Sequence, residues 1–249
     1  MEIVKPFTKR YGFETAGMKL LGCVLFPFFK CRCELPPMLA RCDEPVVFVC
    51  NHYEVFGPFA VALSLPLRYR FWINAMVLEA TQNIEYMIVG TRHAFPFLSE
   101  KAARKVLQTC TPVIERVLNR FRSLPVYHAH LGKQRRSIEK TVDAMQEGDH
   151  IVLFPETAVP AYSHGRVTEF YRSFALIGEV YRRRTGQSAA FCPVYVDKKH
   201  RKLCFGQLVH YGAEKASVEC EKLVSELRKQ LLLMADEALG CCVEEEVCM

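Results

Sequence analysis

The sequence predicts an α/β fold, a mixed and largely parallel sheet flanked by helices, with a membrane-contacting or amphipathic helix at the N-terminus. Three observations carry this. Short apolar runs recur along the chain, among them "VVFVC" (46–50), "HIVLF" (150–154) and "AAFCPVYV" (189–196). They are continuous rather than alternating, the mark of strands covered on both faces. Helical stretches separate them, and that alternation favours parallel strand pairs joined by crossovers. The composition is globular on the apolar side: 249 residues, 50% hydrophobic and 24% charged, enough for one substantial core. No linker or repeat divides the chain. It reads as an N-terminal membrane-contacting segment (1–35), one α/β domain (36–240) and a C-terminal tail (241–249).

Each element has its own justification. Ala16–Lys30, "AGMKLLGCVLFPFFK", is the most apolar stretch, and Lys5, Lys9, Arg10, Lys19, Lys30 and Arg32 flank or interrupt it. As a helix its apolar part reaches about 20 Å, short of the roughly 30 Å of a bilayer core. Pro27 falls in its last turn. The length suits a helix lying in the interface with lysines at the headgroups; the competing reading is a core helix covering the sheet. After the 46–50 strand, a helix is expected from Pro58 to Leu65, since proline is tolerated in a first turn. "YRFWI" (69–73) is the second strand. Ser99–Arg122 is a long amphipathic helix with Ser99 as N-cap. "LPVYH" (124–128) is the third strand. Ser137–Gln146 is helical, stopped by Gly148. The fourth strand is 150–154. Thr168–Arg184 is helical and ends at Gly186, with Arg182–Arg184 as a charged last turn. The fifth strand is 189–196. "DKKHRK" (197–202) reads as a solvated hairpin. One or two short strands cross Gly206, and a last helix runs from about Ala213 to Leu239. Trp72 reads as core.

Twelve cysteines occur without a secretory signal pattern in the first residues. Reduced thiols of a cytosolic protein are therefore expected rather than a disulfide framework. Cys31-x-Cys33 with Cys42 is a poor zinc spacing, and no paired Cys-x-x-Cys follows, so no metal is expected. The net charge of +6 suits an anionic lipid surface or a phosphate-bearing substrate. Nucleic acid is not expected as a partner, because there is no recognition motif and no dominant basic stripe.

Two strand ends carry chemistry. Asn51-His52 follows the first strand, and Phe154-Pro155-Glu156 ends the fourth. Ligands collect at the carboxyl ends of strands in open α/β sheets. With these residues in order, the chain resembles the PlsC-like glycerolipid acyltransferases, which acylate glycerol 3-phosphate or lysophosphatidate. The first motif of that family is Asn-His, four residues, then Asp. Here Asn51-His52 is followed by "YEVF" and Gly57-Pro58. The second motif, "PVYR" or similar, corresponds to Pro125-Val126-Tyr127-His128, with Arg135 and Arg136 downstream. The third, Phe-Pro-Glu-Gly-Thr-Arg, corresponds to Phe154-Pro155-Glu156-Thr157-Ala158. The fourth, an apolar strand with proline, corresponds to Phe191-Cys192-Pro193-Val194-Tyr195. The resemblance covers roughly residues 40–212. The departures are Gly57 for the aspartate, Thr157 for the glycine, Val159 for the last arginine and His128 for the second-motif arginine.

The resemblance implies a glycerolipid acyltransferase-like fold and a 1-acylglycerol-3-phosphate O-acyltransferase-like activity in phospholipid biosynthesis. A fatty acyl group would pass from acyl-CoA or acyl carrier protein, used as co-substrate with no cofactor, to a lysophospholipid or related hydroxyl acceptor. The work would be done at the cytoplasmic face of a membrane by a peripheral or monotopic protein. His52 would act as general base. Its orienting carboxylate would be Glu54, the nearest in sequence, or Glu156 through space, or a backbone carbonyl in their place. Asn51, Glu156, His128, Arg135 and Arg136 would bind substrate, the cations holding the acceptor phosphate. Gly57 supports an alternative, a weak or inactive relative that keeps the fold and binds lipid or acyl carrier.

Overall fold

A computed structural model describes residues 16–40, 44–53, 56–94, 97–127, 130–157 and 166–240. In chain order the elements are α1 (Ala16–Phe29), β1 (Arg32–Cys33), α2 (Pro37–Ala40), β2 (Val46–Cys50), α3 (Phe56–Ser64) and β3 (Tyr69–Asn74). Next come α4 (Ala75–Leu78), α5 (Ile84–Ala94), α6 (Glu100–Arg120), β4 (Leu124–Val126), α7 (Leu131–Gln146) and β5 (His150–Leu153). A 3-10 turn (Arg172–Ala175) leads into α8 (Leu176–Thr185), β6 (Ala190–Asp197), β7 (Lys202–Phe205), β8 (Val209–His210) and α9 (Ala216–Leu239).

The strands form one mixed sheet in the order β1-β7-β6-β2-β5-β3-β4, with β8 also on β6. β6, β2, β5, β3 and β4 are mutually parallel, whereas β7 and β8 pair with β6 antiparallel. The apolar runs are continuous because both faces are packed. Val47 and Val49 point to one face, with Ile151, Leu153 and Phe191, under residues of α7, α8 and α9. Val46, Phe48 and Cys50 point to the other, with Val152, Cys192 and Val194, under α3 and Phe121 at the end of α6. Period-two alternation thus survives within a run that is hydrophobic at every position. Pro193 is tolerated inside β6 because its antiparallel partner breaks there: Gly206 N–H donates to the Pro193 carbonyl at 2.9 Å where the chain passes from β7 to β8. Cys31 and Cys192 are buried thiols, pushed by burial up to about 11 and about 12 respectively. They are protonated packing groups.

Several boundaries differ from the sequence reading. α3 starts at Phe56, so Gly57 lies in its first turn rather than before it. β4 ends at Val126, because its partner β3 ends at Asn74, whose side-chain oxygen caps α4 by accepting from Met76 N–H at 3.0 Å. α7 begins six residues before Ser137, on the mostly exposed stretch 131–136, where no apolar periodicity announces a helix. The helix expected from Thr168 starts later, because Phe170 is taken by an antiparallel bridge to Glu156. Ser99 caps α6 as expected, accepting from Ala102 N–H, and Trp72 donates to Thr141 from the edge of the core. The 197–202 run is solvated only in part, because Asp197 ends β6 and is buried. The tail 241–249 lies outside the described residues.

The amino edge of the sheet carries a buried polar cluster. Asp149 is fully buried between Arg68 (2.5 Å) and Arg70 (2.6 Å). The adjacent His150 accepts a hydrogen bond from Val46 N–H through Nδ1 at 2.9 Å. That bond requires neutral imidazole, and burial pushes the His150 pKa down to about 4, with Asp149 pulling it up and Arg68 pushing it down. The unfolded histidine titrates near 6.5. Between these values the unfolded chain binds a proton that the folded chain does not. Stability is therefore expected to fall as pH drops from 6.5 toward 4, by on the order of 3 kcal/mol from this group. Urea unfolding across that range checks it: His150→Asn, which cannot titrate there, should show a shallower acid loss than wild type.

Candidate active site

β2 and β5 are neighbours, in the register Val47↔Ile151 and Val49↔Leu153. Carried three residues past Val49 and Leu153, that register sets His52 opposite Glu156. The geometry follows: His52 N–H donates to Glu156 Oε2 at 2.5 Å. The other oxygen, Oε1, accepts from Thr168 N–H at 3.0 Å. Glu156 is buried. Burial pushes its carboxyl above the ordinary value, and the two amide bonds pull the other way. The carboxylate thus ties the turn after β2 to the segment after β5. That segment is itself closed at its root: Thr157 N–H donates to Glu169 O, and Tyr171 N–H to Pro155 O, both at 2.8 Å.

Glu156 meets His52 through the backbone. A purely substrate-binding glutamate would leave folding untouched when replaced. Here Glu156→Gln puts an NH2 group against one of two amide donors and is expected to cost about 2–4 kcal/mol. Chemical denaturation checks this.

Asn51 is buried, and its Oδ1 accepts from Val196 N–H at 2.6 Å, extending the β2–β6 pairing by a side chain. Its Nδ2 is buried with no hydrogen-bond partner among the described residues. His52 is half-buried, its ring edge-on to Phe154 with centroids 5.3 Å apart. Tyr53 has φ +41°, a left-handed conformation that non-glycine residues seldom adopt. It lets the chain turn from strand into helix within a few residues, so that Phe56 N–H donates to Tyr53 O and Gly57 N–H to His52 O, each at 3.1 Å. Gly57 is buried. A Cβ there would lie 2.2 Å from the His52 carbonyl oxygen and 2.9 Å from that of Asn51.

Of the residues singled out in the sequence, the fold brings Asn51, His52 and Glu156 to one edge. Glu54, His128 and Val159 lie outside the described residues. Arg135 and Arg136 are exposed on the early turns of α7, and Arg135 pairs with Glu139 at 3.0 Å. Two cations not singled out reach strand ends at the same edge. Lys133 lies 5.1 Å from the Tyr127 ring centroid, beyond β4. Lys198, directly after β6, lies 5.2 Å from the Tyr53 ring and 5.5 Å from the Phe56 ring. The clue to Lys198 was available: "DKKHRK" follows the fourth-motif strand, and a strand parallel to β2 ends at the edge where β2 ends. Among the described residues no group of three His, Cys, Asp or Glu side chains is placed to hold a metal ion.

The arrangement is a sheet-edge site: a half-buried histidine at a strand end, its backbone held by a buried carboxylate from the next strand, with cations at its margin. No protein-family model, curated protein or solved structure matches the chain.

Proposed function

We propose that the protein is a membrane-associated acyltransferase, PlsC-like in its motifs, that moves a fatty acyl group from acyl-CoA or acyl carrier protein to a lysophospholipid or related hydroxyl acceptor. One observation carries the reading. Asn51-His52 and Phe154-Pro155-Glu156 meet at one point through the β2–β5 register and the His52–Glu156 bond. In the reaction, the His52 imidazole takes the proton of the acceptor hydroxyl as its oxygen adds to the thioester carbonyl. The tetrahedral intermediate collapses, the C–S bond breaks, and the thiolate leaves and takes up a proton. The products are an ester and a free thiol. Asn51 and Glu156 keep the His52 turn in place through Val196, His52 and Thr168. α1 would rest on the cytoplasmic face of a membrane. Among the described residues no helix is long and apolar enough to cross one.

The test is thiol release from acyl-CoA and from acyl carrier protein with a panel of lysolipid acceptors, with the ester product confirmed by mass spectrometry. A second reading, a lipid- or acyl-carrier-binding relative without turnover, is favoured by Gly57, where the resemblance calls for an acid and a side chain has no room. Binding of acyl donor or lysolipid without thiol release from any donor would select it.

A further inference from the structure

We infer that the β6–β7 turn is a headgroup-binding element, which together with α1 forms one docking face for an anionic phospholipid bilayer. The inference rests on the membrane attachment proposed above and deepens it, because the turn lies some 170 residues from α1 in sequence.

The apolar half of this face is a row on α1. Leu20, Val24 and Phe28 are spaced four residues apart and so share one side of the helix. They are 67%, 59% and 65% exposed. Away from this row Phe29 packs inward, against Phe59 at 4.9 Å and Phe56 at 5.7 Å. At 14 residues the helix is about 21 Å long, suited to lying in an interface.

The charged half is the turn. Its shape is fixed from within: buried Asp197 accepts from His200 N–H at 2.9 Å and contacts His200 Nδ1 at 2.7 Å. It is also fixed to the helix. The Arg201 guanidinium donates to the Phe28 carbonyl at 2.5 Å and to the Pro27 carbonyl at 2.8 Å, capping the negative end of α1. Lys198 and Lys199 are exposed on this clamped turn. Apolar side chains and adjoining lysines held in one frame match the acyl boundary and headgroup layer of an anionic bilayer. Lys198 also rests on Tyr53, the residue after His52. A bilayer bound by this turn therefore lies beside the candidate active site.

The experiment is sedimentation of the full chain with phosphatidylcholine vesicles, with and without phosphatidylglycerol. It compares wild type, Lys198→Gln/Lys199→Gln and Val24→Ser/Phe28→Ser, with circular dichroism confirming that each is folded. Wild type is expected to prefer the anionic vesicles. Removing both lysines should weaken that binding roughly 30-fold, about fivefold per lysine near the surface, while leaving binding to neutral vesicles unchanged. The α1 variant should lose binding to both. Anionic-vesicle binding that needs α1 but is unchanged in the lysine variant overturns this inference alone. Wild type that sediments with neither vesicle overturns the membrane reading and this inference with it.

Discussion

His52→Ala is expected to lower acyl transfer by about 10² to 10⁴, the usual contribution of a general base, while the protein stays folded. The separation of the two effects follows from the geometry. The bond that joins the β2 turn to β5 uses the backbone N–H of His52, and alanine retains it. The ring lies edge-on to Phe154 at 5.3 Å, a contact worth about 0.5–1.5 kcal/mol beyond area burial. Steady-state thiol release and a thermal melt on the same preparation check both halves. Turnover equal to wild type would remove His52 from the mechanism. The contrast with Glu156→Gln is informative, since that change should lose stability first and activity through the loosened turn.

Gly57→Asp is expected to fail as a repair of the motif. The sequence suggests an acid missing from an otherwise preserved loop, with an orienting group supplied from Glu54, Glu156 or a carbonyl. The structure gives Gly57 a different setting. Its N–H closes the turn on the His52 carbonyl, and the position a Cβ would take is blocked by two backbone oxygens, which cannot swing aside as a side-chain tip can. Even Gly57→Ala must open the turn and is expected to cost at least about 2 kcal/mol. Asp adds the cost of burying a carboxylate. Both variants should show lower denaturation midpoints and lower transfer than wild type. A Gly57→Asp protein that is equally stable and faster would show that the turn yields readily and that the acid was the missing part.

The sheet was legible where packing on two faces forces continuous apolar runs, as at 46–50, 150–153 and 190–197. The start of α7 was not, because its first turns are mostly exposed and hydrophobic periodicity is a signal of burial. α5 went unread: Ile84–Ala94 is only mildly apolar and its visible pattern is interrupted by Gly90 and Thr91. At the site, His52 and Glu156 were readable as separate strand ends. Their pairing was readable only as one alternative among three, since it depends on β5 inserting beside β2 while the strands between them in sequence, β3 and β4, lie beyond β5. Nothing local encodes that order. The same holds for Lys198, whose place beside Tyr53 comes from β6 flanking β2 on its other side.

β5 joins two unlike neighbourhoods. At its start lies the buried, acid-sensitive His150, beside the Asp149–arginine pairs; just past its end Glu156 holds the candidate base. Six residue steps along the chain separate His150 from Glu156, about 20 Å when extended, beyond the range over which substitutions usually couple. The two ends can therefore drift independently. A lineage facing a more acidic habitat could replace His150 and leave the chemistry untouched, and one acquiring a new acceptor could remodel the far edge without eroding acid tolerance. Combined changes at the two ends should add in free energy, so the same short strand leaves robustness and specificity open to separate selection.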